Sequence, residues 1–484
     1  MARGKSRTAL WALWLALSVT LAAVIGAALA GLRSPLPGEI DLALRALLLP
    51  GRTTHGHHQI ELACDACHAN AFSSDDDVQA RCERCHAAAL KEARDTHPKA
   101  KFTDPRNADR AALLDATRCV TCHVEHKPHI TQAAGLTLPK DYCVICHRDI
   151  ATDRPSHTGM AFDSCTDSGC HNYHDNTALY EDFLVKHGSA GFLAPQPVVP
   201  SRDFRDVVEE LGDYPSDRYP LTELGATDAD HGTQLRSSEA ILGDWLATAH
   251  ARAGVNCSAC HRPTGNAADG PDAAWIEQPS ERVCASCHKP EVEGFLSGLH
   301  GMRLRQSLAP MTPAAARLPM KADAAHEALG CTSCHGAHRF DTRRAATEAC
   351  TGCHDDRHTR AYEASPHART WQDELAGKAA PGSGVSCATC HLPRIEFRTP
   401  DYVKRTLVQH NQNANLQPSV KMARSVCLNC HGLGFSLDAL ADTALAGRNF
   451  TGRPGIHVTS VEMALERAQS PNNDGDQDAA SPPD

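Results

Sequence analysis

One short pattern governs what this chain can fold into: two cysteines at a fixed gap, with histidine directly after the second. CDACH supplies Cys64, Cys67 and His68; CERCH supplies Cys82, Cys85 and His86; CVTCH supplies Cys119, Cys122 and His123; CVICH supplies Cys143, Cys146 and His147. Further on, CSACH supplies Cys257, Cys260 and His261, and CASCH supplies Cys284, Cys287 and His288. CTSCH supplies Cys331, Cys334 and His335; CTGCH supplies Cys350, Cys353 and His354; CATCH supplies Cys387, Cys390 and His391; CLNCH supplies Cys427, Cys430 and His431. An eleventh copy, CTDSGCH, spaces Cys165 and Cys170 more widely before His171. Together the copies use all 22 cysteines of the 484-residue chain.

C-x-x-C-H is the signature of covalent c-type haem attachment. The two thiols add to the two vinyl groups of haem, and the adjacent histidine reaches the iron as proximal ligand. Zinc sites need such pairs to converge on one metal and do not demand histidine after every second cysteine. A C-x-x-C disulfide needs no histidine at all. Ten copies therefore read as ten haems. In the eleventh the longer loop can bulge while both sulfurs still reach the vinyls; a disulfide between Cys165 and Cys170 is the alternative. The expectation is eleven covalently bound c-type haems.

The chain holds 29 histidines. Eleven are proximal in this reading, and the others are the supply of distal ligands. His57 and His250 each lie seven residues before a first cysteine, so the two clusters of motifs open alike. His126, His174 and His338 each follow a motif histidine by three and are expected to serve a neighbouring haem. His97, His157, His300, His326, His367 and His410 stand isolated between motifs, as distal ligands do. These eleven form the expected distal set, with His231 and His457 the weakest of the remainder.

The first 33 residues carry Arg3, Lys5 and Arg7, then no charge from Thr8 to Leu32. About 20 apolar residues span a bilayer as a helix, and a signal-peptide core has only about 7–15. Residues 1–33 are thus expected to be a cytoplasmic head and transmembrane anchor, with ALA at Ala28–Ala30 offering a cleaved signal as the alternative. Basic residues stay cytoplasmic, which puts the bulk in the periplasm, on an inner (cytoplasmic) membrane anchor. There, stray cysteine pairs would oxidise. A net charge of −10 and a pI near 6.3 exclude a nucleic-acid binder.

Five motifs occupy 64–171 and six occupy 257–431. The expected domains are a pentahaem module at 34–190, a haem-free linker at 191–240, a hexahaem module at 241–460 and a disordered acidic tail at 461–484. Only 5% of the residues are aromatic, so porphyrin replaces side chains as the core. The expected fold class is mainly α with extensive coil, two haem-cored multihaem modules after the helix, and little β-sheet. Such a chain does not fold before its cofactor is bound, as in small metal domains.

The opening HGHHQIELACDACH and the dense motifs of residues 50–190 resemble the cytochrome c3/c7-type and pentahaem electron-transfer cytochromes. Residues 240–435, through TAHARAGVNCSACH, YEASPHARTW and GVSCATCHLPR, resemble the superfamily of hydroxylamine oxidoreductase, octahaem cytochromes, cytochrome c554 and pentahaem nitrite reductase. That resemblance implies haems in stacked parallel and perpendicular pairs, mostly with two histidine ligands. The departures are chemical. No C-x-x-C-K exists for the active haem of a nitrite reductase, and nothing singles out Tyr362 or Tyr402 as the cross-linked tyrosine of hydroxylamine oxidoreductase.

Two functions follow. The first is an anchored electron carrier between a membrane, quinol-linked partner (a quinol dehydrogenase) and a soluble cytochrome or outer partner; haem propionates add negative charge, favouring a soluble partner with a basic patch. The second is an oxidoreductase of nitrite, hydroxylamine or sulfite at one five-coordinate iron, with the haems on His261 and His288 the expected places. No catalytic side chain is assigned.

Overall fold

A computed structural model describes residues 3–29, 45–70, 73–95, 97–166, 170–175, 179–193, 222–231, 239–262, 275–398, 404–416 and 419–470. The chain divides into two compact units: residues 1–92 with 97–139, and residues 93–96 with 140–484.

The local architecture follows from the motif. In C-x-x-C-H copies the histidine N–H donates to the carbonyl of the first cysteine, at 2.8 Å for His68 and Cys64, 2.9 Å for His354 and Cys350 and 2.7 Å for His431 and Cys427. That is one α-helical turn, and it brings both thiols and the imidazole together. Many described helices are no longer than this: Cys64–Cys67, Cys119–Cys122, Cys257–His261, Cys331–His335 and Cys387–His391. A one-turn helix is not stable alone; neighbours must hold it. The longer Asp75–Glu92 helix of the first unit carries Cys82, Cys85 and His86 across its middle. Its start is fixed by the reciprocal bonds of Ser74 and Asp77, with Asp77 N–H donating to Ser74 Oγ at 3.2 Å and Ser74 Oγ donating to Asp77 at 2.8 Å.

Among the described residues Ala63 is the one buried apolar side chain of the first unit. Among the described residues that unit has no peptide core. The second unit has one, formed where the helix around Phe183 and Leu184 meets the last helices: Phe183, Leu184, Met422, Ala423, Val426, Leu433, Leu437, Leu440, Val461 and Ala464. Leu437 is fully buried, and Leu437→Ala is expected to cost about 2–5 kcal/mol. Leu375→Ala, at a 43% exposed position, is expected to stay within about 0.5 kcal/mol. Thermal melts of the two holoprotein variants check this.

The boundary at 139/140 differs from the expected end of a pentahaem module at 190. The reason is packing. The helix Glu181–Gly188 lies on the helix Ser460–Gln469 so closely that a Cβ on Gly188 would meet Val461 at 2.9 Å. Arg467 pairs with Glu181 at 3.4 Å across the same contact. The fourth and fifth motifs fall in the same unit as this contact. The same contact corrects the expected tail: residues from 461 begin within a helix, with Val461 and Ala464 buried, because SVEMALERAQ places its apolar residues on one face. Residues 471–484 lie outside the described residues, as does most of the expected linker.

The expectation of little sheet is met: among the described residues the one sheet is an antiparallel hairpin, Arg394–Arg398 with Lys404–Val408, pairing Arg394 with Val408. At the N-terminus a helix forms over Arg3–Leu29. Among the described residues, however, no helix is long and apolar enough to cross a membrane. The expected transmembrane helix therefore gains no support from the fold.

Candidate haem sites

The motif histidines do not stand alone. In the first unit the His57 ring lies 5.9 Å from His86, centroid to centroid. In the second unit His157 lies 6.1 Å from His171. Six more pairs follow in the second unit: His250 with His288 at 5.9 Å, His338 with His261 at 5.9 Å and His410 with His335 at 6.3 Å. His300 lies 6.2 Å from His354, His358 lies 5.9 Å from His391 and His367 lies 6.3 Å from His431. Two imidazoles bonded to one metal from opposite sides, each at about 2.0 Å, have centroids roughly 6.3 Å apart. The spacing is thus that of a metal ion between two rings. Every motif histidine from His261 to His431 has such a facing ring.

The surroundings fit a porphyrin. Between His300 and His354 lies a mainly apolar cavity lined by Phe295, Met311, Pro313, Met320 and Leu329, with Cys353 opening into it. Burial pushes the His300 ring down to about 4, and His354 beside it adds to the shift. The His391 ring is likewise pushed down to about 4 by burial, with His358 contributing. Neutral imidazole is the form that binds metal. Burial raises the thiols too, Cys390 and Cys427 to about 12. The thiols of different motifs lie side by side: Cys284 contacts Cys331, Cys350 contacts Cys387, and in the first unit Cys82 contacts Cys119.

The wide copy closes like the others. His171 N–H donates to the carbonyl of Cys165 at 3.1 Å, the same first-cysteine-to-histidine bond despite two additional residues. With the His157 ring opposite His171, these residues fit a haem in the same manner as the regular copies.

Outer partners orient the rings, as they do at metal sites generally. His261 donates from Nδ1 to the Ile276 carbonyl at 2.6 Å and stacks on Trp275, 4.6 Å away with planes 7° apart. His410 donates to the Val408 carbonyl at 2.9 Å and His126 to the Gly51 carbonyl at 2.8 Å. A backbone device recurs as well. His126 and His338, each three residues after a motif histidine, adopt left-handed backbone at φ 62° and 64°. This conformation is uncommon for a non-glycine residue and is found at functional sites. It accompanies the placement of His338 against His261 rather than against its own motif, and His126 interacts electrostatically with His68.

Of the expected distal set, His57, His157, His250, His300, His338, His367 and His410 are placed opposite motif rings. His97 stacks on Phe102 at 6.4 Å. His174 lies against Tyr173 at 4.9 Å and 3.5 Å from Asp95. His326 is exposed and among the described contacts has no motif ring beside it. His358, outside the expected set, does face a motif ring, 5.9 Å from His391. CHDDRH puts His358 four residues after a motif histidine, and the rule drawn from three-residue spacings passed it over. Its Nδ1 donates to the Ala446 carbonyl at 2.5 Å, while the Asn449 amide lies 3.2 Å from Nε2, a contact a bound iron would replace. His457 is committed to Asp438 and Glu462, at 3.2 and 3.5 Å. Tyr362 is buried and donates to the Val385 carbonyl at 2.8 Å; Tyr402 lies outside the described residues.

The family model for cytochrome c3 matches residues 56–148, a stretch holding the first four motifs. No curated protein and no solved structure matches the chain, so the resemblance of residues 240–435 to the hydroxylamine oxidoreductase superfamily rests on its motifs alone. The matched segment and the repeated motif together make this a multihaem electron-transfer cytochrome of mainly helical fold, with covalently bound c-type haem.

Proposed function

We propose that the chain is an undecahaem electron carrier, held at the periplasmic face of the inner membrane by its N-terminal helix. It passes electrons between a quinol-linked membrane partner and a soluble or outer redox partner. The observation that supports this reading best is the second imidazole opposite each of the six motif histidines from His261 to His431. An iron held by two histidines has no place for substrate, so its use is electron transfer. The oxidoreductase alternative looked to His261 and His288 for an open iron, and His338 and His250 face those two rings.

When bound, the haems supply one-electron iron couples. The chain's part is placement. It sets the attachment thiols of consecutive motifs near one another in sequence order: Cys260 near Cys284, Cys284 beside Cys331, Cys334 near Cys350, Cys350 beside Cys387 and Cys390 near Cys427. Attachment in that order favours a path that runs along the sequence through the second cluster.

Electron paramagnetic resonance of the oxidised holoprotein, with haem counted on the same sample, tests the reading. Eleven haems and low-spin signals only are the expected result. The signals are expected to be heterogeneous, because the facing ring planes range from 14° for His261 with His338 to 86° for His250 with His288. A high-spin signal that shifts on adding nitrite, hydroxylamine or sulfite would overturn it. On the same count, joint Cys165→Ala and Cys170→Ala substitution is expected to remove one haem; an unchanged count would return that pair to a disulfide. Membrane attachment is tested by fractionation with and without residues 1–33.

A further inference from the structure

We propose that Glu125 is a positioning residue that depresses the reduction potential of the haem attached at Cys82 and Cys85, by accepting the Nδ1 proton of the facing ligand His57. The inference rests on the bis-histidine reading of that haem and goes beyond it, since it says how this chain sets one potential apart.

The geometry is specific. The His57 ring faces His86 at 5.9 Å. Its Nδ1 lies 2.5 Å from Glu125 Oε1, which leaves Nε2 as the nitrogen for the iron. The carboxylate is itself held: Thr54 N–H donates to Oε2 at 2.6 Å and Thr54 Oγ to Oε1 at 2.8 Å. The acceptor is therefore a carboxylate that Thr54 holds in place and that is partly buried. His126, His358 and His410 donate instead to the neutral carbonyls of Gly51, Ala446 and Val408.

A charged acceptor draws the Nδ1 proton away from the ring and makes the imidazole a more basic ligand. A more basic ligand, with a negative charge behind it, favours ferric over ferrous iron. Hydrogen bonding around the ligand is one of the protein's levers on haem potential. Reduction here adds one electron to the iron and breaks no bond, and the proton stays between His57 and Glu125 in both states. In CHVEH, moreover, His123 belongs to the third motif, Glu125 orients a ligand of the second, and His126 interacts electrostatically with His68 of the first. One five-residue stretch thus bears on three sites and can offset one potential against its neighbours.

The test is a potentiometric titration of the full holoprotein at fixed pH, with mediators and dithionite as reductant, followed in the haem absorption bands. Glu125→Gln keeps the shape and removes the charge. One one-electron component is expected to move to higher potential by at least tenfold in its reduction equilibrium, 59 mV for one electron, with the others unmoved and the haem count unchanged. A curve that superimposes on the parent at equal haem count overturns the proposal. If Glu125→Gln loads fewer haems, Thr54→Val decides. It removes the hydroxyl competing for Oε1, so the same component must move to lower potential, and no movement overturns the proposal. Mass spectrometry of the parent's peptides separates this from failure of the functional reading: absence of haem on Cys82 and Cys85 would refute that reading first.

Discussion

Preventing haem attachment is expected to unfold residues 45–139 of the first unit, with loss of their helical signal in far-ultraviolet circular dichroism and cleavage throughout that stretch in limited proteolysis. Among the described residues that unit buries Ala63 as its one apolar side chain. Within residues 45–139 its helices outside Asp75–Glu92 are mostly single turns, which do not persist alone in water. Structural zinc supplies about 10–16 kcal/mol to small domains, and a whole domain is stable by only about 5–15 kcal/mol. A covalently held porphyrin between two imidazoles plays the same part, so its loss exceeds what remains. In the second unit the cluster around Leu433, Leu437 and Val461 is expected to keep a residual protease-resistant fragment. A haem-free first unit with native helicity would show a peptide core that the structure does not contain.

His358→Ala is expected to convert one iron of the oxidised holoprotein from low to high spin and to create one carbon monoxide site in the reduced form. The His358 ring is 5.9 Å from His391, and truncating it leaves that iron with one protein ligand. His326→Ala is expected to change neither spectrum, since that side chain is exposed. The pair of variants discriminates sharply because spacing along the chain favours His326 and tertiary placement favours His358. Carbon monoxide binding in His326→Ala, or its absence in His358→Ala with haem retained, would reverse the assignment.

Much of the site was legible in the residues. Attachment chemistry is local: both thiols and the proximal imidazole come from one helical turn, so their roles can be read from C-x-x-C-H without any fold. The scarcity of aromatic residues pointed to a core that is not peptide, and among the described residues the first unit buries Ala63 as its one apolar side chain. Distal ligands are another matter. His250 meets His288 and His367 meets His431 across 38 and 64 residues of sequence, and no spacing rule reaches so far. His358 shows the limit, since its partner His391 belongs to the next motif. The unit boundary was hidden for a similar reason: Gly188 and Val461 touch, and nothing in either stretch announces the other.

The sequence by itself determined that this protein carries covalently bound c-type haem and that its fold would be mainly helical turns with little sheet. Those properties depend on residues within one turn of each other, where covalent geometry leaves little choice. Only the tertiary structure decided which imidazole faces which, that Glu125 rather than a backbone carbonyl stands behind His57, and that the helix Glu181–Gly188 packs on the helix Ser460–Gln469. Each of these is a contact between segments far apart in the chain, set by packing and charge in three dimensions.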